Sequence, residues 1–385
     1  MFVDHLELAD FRSWAALDLS LAPGVVTFVG ANGQGKTNLV EAVDYLATLG
    51  SHRVSGDLPL VRHGAERALV RARVRAGRQD ARALVLEVGI TPGRANKARL
   101  NRAPLTRPRD LLGILRTVLF SPEDLQIVKG DPAARRHFLD ALVVTRWPRM
   151  AGVRADYDKV LRQRNSLLRS LSGRPGRRPG RDPSGPADPY ADDTLRIWSD
   201  QLADLGAEIL SARIDTLEAL APHMAHAYAG IAPVNNVATA RYRSGTELDG
   251  RDRAALAGAL VADMDRRHDE EVARGVTLVG PHRDDIELRL GDLPAKGYAS
   301  HGESWSYALA LKLGGFQMLR ADGIEPVLIL DDVFAELDAT RRARLAQGVA
   351  IADQVLVTAA VPEDLPAGLE GLRLRVADGA VTPDA

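Results

Sequence analysis

The chain contains no cysteine. That excludes disulfides and thiolate metal sites, and it fits a reducing cytoplasm. Nor is there an apolar run long enough to cross a bilayer, so no membrane partner is expected. The opening stretch MFVDHLELADFRSW has neither a basic n-region nor an apolar h-region, so no secretion signal is expected and a cytoplasmic location is. An excess of one charge sign is missing too, with 50 Lys and Arg against 51 Asp and Glu and a formal net charge of −1. No global field therefore favours an anionic partner, and any nucleic-acid contact must come from local patches. The remaining composition is that of an ordinary globular protein, 45% hydrophobic and 26% charged. At 385 residues, two or perhaps three cores are expected.

The chain is organised around residues 25 to 37, VVTFVGANGQGKT. An apolar run ends at Gly30, and Gly30 to Thr37 reads G-x-x-x-x-G-K-T, the complete P-loop pattern. Gly30, Gly33 and Gly35 let the backbone curl so that successive N–H groups point inward at phosphate oxygens. Ala31, Asn32 and Gln34 fill the loop and Asn38 follows it, so the nucleotide-binding stretch runs from Gly30 to Asn38. Lys36 is placed to reach the β- and γ-phosphates of a nucleoside triphosphate, and the Thr37 hydroxyl to bind Mg²⁺. Beyond it, Leu39, Val40, Val43, Leu46 and Ala47 recur at helical spacing until Gly50. The phosphates would then sit on a helix N-terminus, which favours negative charge.

Around this loop the pattern is mixed. Residues 1–8 read as a strand, and residues 69–76 alternate apolar side chains with Arg71, Arg73 and Arg75, a half-buried strand with a basic outer row. Residues 83–90 give another strand, and Asn101-Arg102 marks a hairpin. After about residue 121 the chain turns helical, with Asp131 as an N-cap and Pro132 as a first helical residue. Its one expected interruption before residue 273 is a mobile Pro/Gly/Arg linker, residues 173–189. Strand character returns at Val276 to Val279, followed by a hairpin at IELRL and a helix from Ser304 to Leu319. The run Val327 to Leu330 is a buried strand, a helix follows Asp338, and QVLVT is another buried strand. The expectation is a discontinuous α/β nucleotide domain from residues 1–120 and 275–385, with a mostly helical insertion at 121–274.

A P-loop needs a second carboxylate at the end of a buried strand. VLILDD supplies it, with Asp331 assigned to Mg²⁺ and Asp332 to orienting the attacking water. The string LILDDVFAELD resembles the Walker B motif and D-loop of ABC-type ATPases, whose usual form is LLLDEPxSxLD. The resemblance puts Asp332 at the catalytic glutamate and Asp338 at the D-loop aspartate. Upstream, YASHGESWS resembles a divergent signature motif, with Ser300, Gly302 and Glu303 at the S, second G and Q positions of LSGGQ. In that family the signature of one subunit completes the ATP site of another, and a helix N-terminus near Ser304 suits a γ-phosphate. There are departures. Asp332 is a methylene shorter than Glu, which implies slow hydrolysis or a water held differently, and Thr358 stands where a switch histidine is usual. FSPEDLQ occupies the Q-loop place with Gln126 or Glu123 as candidate, an open choice.

Further strings narrow the resemblance. LELADFRSW, GANGQGKTN, SHRVSGDLPLVRHG, LFSPEDLQIVKGDPAARRHFLD, YDKVLRQRNSLL and VGPHRDDIEL together resemble the RecF family, SMC-like replication and repair ATPases, over essentially the full length. The resemblance implies an ABC-ATPase-like head and ATP and Mg²⁺ as cofactors. It also implies an ATP-dependent homodimer on double-stranded DNA near single-strand gaps and junctions. RecO- and RecR-type partners for recombinase loading, and hydrolysis as a release clock, come with it. Candidate DNA contacts are Arg135 and Arg136, which oppose the helix dipole in a first turn, and Lys159 and Arg162 on the following helix. In GPHRDD, His282, Asp284 and Asp285 read as a turn with local Arg283 pairing rather than a metal site. Competing classes are the ATPase subunit of a transporter, a small-molecule P-loop kinase, and an ATP-gated DNA clamp with negligible turnover.

Overall fold

The computed structural model describes residues 1–172, 190–232 and 237–384, so the expected linker at 173–189 lies outside the described residues. Two compact units emerge, one of Met1–Gly130, Ala219–Thr239 and Leu288–Ala385, the other of Asp131–Glu218 and Ala240–Glu287. Both ends of the chain thus build one α/β unit around an inserted, mostly helical one. Residues Ala219–Thr239, which the sequence places with the insertion, group with the α/β unit. Gly314 accounts for this. A Cβ there would lie 2.7 Å from the Met224 backbone, so a glycine lets the helix His301–Ala321 meet the last turns of the helix Ala191–Ile231.

The α/β unit holds two six-stranded sheets. In the first, the strands Gly371–Ala377, Gly24–Val29, Gln354–Ala359, Val327–Asp331 and Thr117–Phe120 run parallel in that order, with Ala380–Pro383 antiparallel at the edge. Strands covered on both faces read as continuous apolar runs, and Val327–Asp331 is buried at every position. Register pairs Asp331 with Thr358 and Val29 with Ala359, which brings the ends of three neighbouring strands together. Open α/β sheets bind ligands at such carboxyl ends.

The second sheet is antiparallel, in the order Trp14–Ser20, Phe2–Phe11, Ala68–Gly77, Asp80–Ile90, Lys97–Leu100 and Ala103–Pro104. Its last hairpin turns at Asn101 and Arg102, with φ of 50° and 73°. Val70, Ala72 and Val74 face the core, which also takes in Leu39, Val43 and Leu46 of the helix Lys36–Thr48. The outer arginines are already matched. Arg71 pairs with Glu7 and Glu87, and Arg73 and Arg75 with Asp4. Burial alone would push the Asp4 carboxyl up, but the two arginines hold it below the ordinary carboxylate range.

The helical unit packs Pro132–Arg146, Met150–Leu171, the first part of Ala191–Ile231, Arg253–Arg266 and His268–Arg274 around Val143, Tyr157, Val160, Leu210 and Leu260. Asp131 is the N-cap residue and Pro132 opens the helix. Two expectations change. Val276 to Val279 is not a strand, because side chains take its backbone donors. Asn165 Oδ1 accepts from Thr277 N at 2.7 Å and Glu271 Oε1 from Leu278 N at 2.6 Å. Conversely Ala238–Arg243, in the stretch expected to be helical, is a strand.

Candidate nucleotide site

The P-loop joins strand Gly24–Val29 to helix Lys36–Thr48, as its residues require. Gly35 is left-handed at φ 94°, a conformation that favours glycine, and a Cβ there would meet Ser13 Oγ at 2.7 Å. Gly30 is needed for a reason the motif does not state. A Cβ there would lie 2.2 Å from the Val376 carbonyl of the neighbouring strand. The loop is braced from outside, with Trp14 Nε1 donating to Gly35 O at 3.2 Å, Asn38 Nδ2 to Ser13 Oγ at 2.9 Å, and Asp378 N to Gln34 Oε1 at 2.8 Å.

Lys36 is 3% exposed, and its ammonium donates to the loop's own Gly30 and Ala31 carbonyls at 2.8 and 3.2 Å, with Asn32 Oδ1 at 3.5 Å. A buried ammonium held by neutral carbonyls of its own loop is suited to exchange them for phosphate oxygens. Thr37 Oγ1 donates to Asp331 Oδ1 at 3.0 Å, which sets a hydroxyl and a carboxylate oxygen side by side. Thr358 Oγ1 donates to the same Oδ1 at 2.7 Å and accepts from Asp332 N at 2.9 Å. The residue at the switch-histidine place is thus a clamp on the Walker B pair. Burial pushes the Asp331 carboxyl above the ordinary range, Asp332 beside it adds to this, and the two threonines only partly oppose it. Asp332 itself is left-handed at φ 51°, strained backbone of the kind found at functional sites.

A divalent cation fits these residues. Thr37 and Asp331 offer adjacent hard oxygen donors, and a cation would offset the two neighbouring carboxylates. A further sign is His52, whose two ring nitrogens are buried without a hydrogen-bond partner among the described residues.

Several residues that spacing did not single out converge here. Glu41, on the P-loop helix and 0% exposed, takes Arg12 through both oxygens at 2.8 and 2.5 Å, Ser51 Oγ at 2.5 Å and Arg53 at 3.4 Å. Burial would raise its carboxyl, but Arg12, Ser51 and Arg53 hold it below the ordinary range. The DFRSW and SHR strings thus meet on one carboxylate. In FSPEDLQ, Gln126 and Glu123 are exposed, while Asp124 is buried on Lys312 of the signature helix at 2.8 Å.

The signature corner is self-contained. Ser300 caps helix His301–Ala321 in a capping box with Glu303, Ser300 Oγ accepting from Glu303 N at 3.2 Å and Glu303 Oε2 from Ser300 N at 2.8 Å. Asp338 caps Ala339–Val349 by accepting from Arg341 N at 2.9 Å, and Arg341 reaches across to Ser306 Oγ at 2.9 Å. A Cβ on Gly302 would lie 2.9 Å from Arg341 Nη2. Signature and D-loop therefore meet within one chain. The P-loop's bonds run instead to Ser13, Trp14, Asp331 and Asp378.

In the helical unit the basic candidates divide. Arg135 is 5% exposed and held by both oxygens of Asp285 at 2.7 and 2.9 Å, so its charge is matched inside the unit. Arg136 is half-buried and donates to the Asp284 carbonyl at 2.7 Å, whereas Lys159 and Arg162 are exposed. The GPHRDD side chains go to separate partners, Tyr157 for His282, Tyr242 for Asp284 and Arg135 for Asp285, and Arg283 donates to Thr277 O. Among the described residues the one His/Asp/Glu group close enough to share an ion is His5, Glu7 and Asp18. No described helix is long and apolar enough to cross a membrane.

The RecF/RecN/SMC N terminal domain matches residues 2–375. A protein of Cutibacterium acnes called DNA replication and repair protein RecF is 60% identical over 394 residues, 99% of this chain and 98% of the relative. A Streptomyces avermitilis protein of the same name is 56% identical over 383 residues, 99% of each chain. Among solved structures, the recombination mediator protein RecF with ATPrS, described as part of the RecFOR pathway, superposes with a TM-score of 0.86 at 27% identity, covering 100% of this chain and 98% of that one. An SMC head bound to the C-terminal winged-helix domain of ScpA gives 0.55 at 17% identity over 99% and 96% of the chains, a likeness of fold alone.

Proposed function

The chain belongs to the RecF/RecN/SMC family, and from that premise we propose that it is an ATP-dependent DNA-binding protein of recombinational repair and replication. The observation that carries the reading is the meeting of Thr37 and Asp331 at 3.0 Å beside a buried Lys36, a P-loop and Walker B pair ready for a nucleotide and its cation. ATP and Mg²⁺ are the cofactors. Lys36 would neutralise the β- and γ-phosphates, the loop N–H groups would cradle them, and Thr37 and Asp331 would hold the cation, which would supply charge neutralisation on the transferred phosphoryl group. Asp332 orients the attacking water, and its short side chain makes turnover slow.

One chain holds half of each site. Ser300, Gly302, Glu303 and Asp338 form a finished corner whose helix N-terminus serves the γ-phosphate held by a second copy. ATP thereby closes a homodimer, and hydrolysis opens it. On DNA the dimer occupies double-stranded segments near gaps and single-strand junctions and promotes recombinase loading with RecO- and RecR-type partners. Phosphate contacts fall to Arg136, Lys159 and Arg162, since Arg135 is held by Asp285. The test is binding of a gapped duplex at two salt concentrations, with and without ATP. Binding should need ATP and weaken steeply with salt, because each phosphate contact releases counterions. Lys159→Glu with Arg162→Glu should flatten the salt slope. Binding indifferent to salt and ATP contradicts the reading.

A further inference from the structure

The switch position holds Thr358 and no histidine, yet a half-buried histidine, with both ring nitrogens out of solvent, stands beside the Walker B carboxylate. His52 follows the P-loop helix in the turn that also sends Ser51 and Arg53 to Glu41. Both its nitrogens are buried, and among the described residues neither has a hydrogen-bond partner. Buried polar groups in folded proteins are nearly always partnered, so this ring has an unmet demand. Its Nε2 lies 3.9 Å from Asp331 Oδ2, too far for a hydrogen bond and near enough to form one by an approach of about 1 Å. The carboxylate is unevenly served from its side. Oδ1 accepts from both Thr37 and Thr358, whereas Oδ2 faces His52 Nε2 across 3.9 Å.

We propose that His52 is a positioning residue for Asp331, donating to Oδ2 when Mg²⁺ and ATP are bound and so fixing the rotation of the carboxylate that ligates the cation. The inference rests on the ATPase reading above. The Thr37 hydroxyl has one proton and two lone pairs, so it can donate to Oδ1 while its oxygen remains free for a cation. Oδ1 then keeps its two threonine partners and His52 supplies the brace on Oδ2, so that both carboxylate oxygens have outer partners, the arrangement by which outer groups orient metal ligands. The turn after the P-loop helix thereby senses whether the site holds cation and nucleotide together.

The experiment measures binding of a fluorescent ATP analogue to the full chain across a Mg²⁺ titration, for wild type, His52→Ala and His52→Gln. His52→Ala should raise the Mg²⁺ concentration for half-maximal binding about tenfold or more and leave Mg²⁺-free affinity unchanged. His52→Gln, whose amide can still donate, should recover most of the difference. Wild-type Mg²⁺ dependence in His52→Ala overturns the proposal, as does equal loss with and without Mg²⁺ in both variants, which marks a merely structural role. Wild-type protein that binds no nucleotide refutes the ATPase reading instead, so the two failures are distinct. Should His52→Ala not fold, imidazole ¹⁵N spectra of the wild type decide. The His52 signal should move when Mg²⁺ joins ATP, and a stationary signal overturns the proposal.

Discussion

The P-loop corner and the signature corner of the α/β unit are built to opposite specifications. Around the P-loop, demand is unmet. Lys36 rests on its own loop's carbonyls, His52 has no partner among the described residues, and Asp332 is strained at φ 51°. Around the signature, the helix caps are closed on one another, although Trp305 Nε1 on the same helix is buried without a hydrogen-bond partner among the described residues. Ser300 and Glu303 cap reciprocally, Asp338 holds Arg341, and Arg341 holds Ser306. Strain and missing partners mark a place that a ligand completes. On the reading proposed above, a corner whose two helix caps are already closed is what a second chain's nucleotide would dock against with little further ordering.

That contrast can be broken in order of effect. Lys36→Met removes the P-loop ammonium that the nucleotide reading assigns to the phosphates, so ATP affinity should fall by about a hundredfold or more in a fluorescence titration. Ser300→Arg leaves the P-loop corner intact and crowds the docking face. Monomer affinity for ATP should stay within about twofold while ATP-dependent dimerisation disappears, and loss of the cap should lower stability by about 1 kcal/mol. The third case tests the helical unit, where no such contrast is claimed. Burial, with Arg283, Arg136 and Arg213 nearby, pushes His282 down to about 4, below its ordinary 6.5. The unfolded chain then takes up the proton first, so stability present above pH 6.5 is lost as pH falls from about 6.5 to about 4, by roughly 2–3 kcal/mol. Urea unfolding at pH 7 and pH 5 should show this loss, and His282→Gln should remove it. The smallest effect tests the strain at Asp332. Asp332→Gly should stabilise the protein by up to about 1 kcal/mol in thermal melts and still abolish hydrolysis. Destabilisation there would mean that the left-handed backbone is not strained.

What the sequence made legible follows from range. The P-loop, the Asp331 strand and the Ser300 cap depend on neighbours within a few residues, so glycine spacing, an apolar run and an S-x-x-E pattern announce them. Glu41, His52 and Arg135 depend on partners far along the chain. A Glu on a mostly apolar helix and an Arg in a first turn look like solvent-facing residues until Arg12 and Asp285 are seen beside them. Val276 to Val279 has the apolar, β-branched look of a strand, but Asn165 and Glu271 capture its backbone. Thr117–Phe120 and Gly371–Ala377 are strands because the sheet recruits them, the first of them only four residues long.

On the reading proposed above, one chain holds half of each nucleotide site, and sedimentation equilibrium of the wild-type protein, with and without a non-hydrolysable ATP analogue and Mg²⁺, decides it. A monomer is expected without nucleotide and a doubled mass with it. A mass that stays unchanged at saturating nucleotide, with binding confirmed in the same sample, would contradict it.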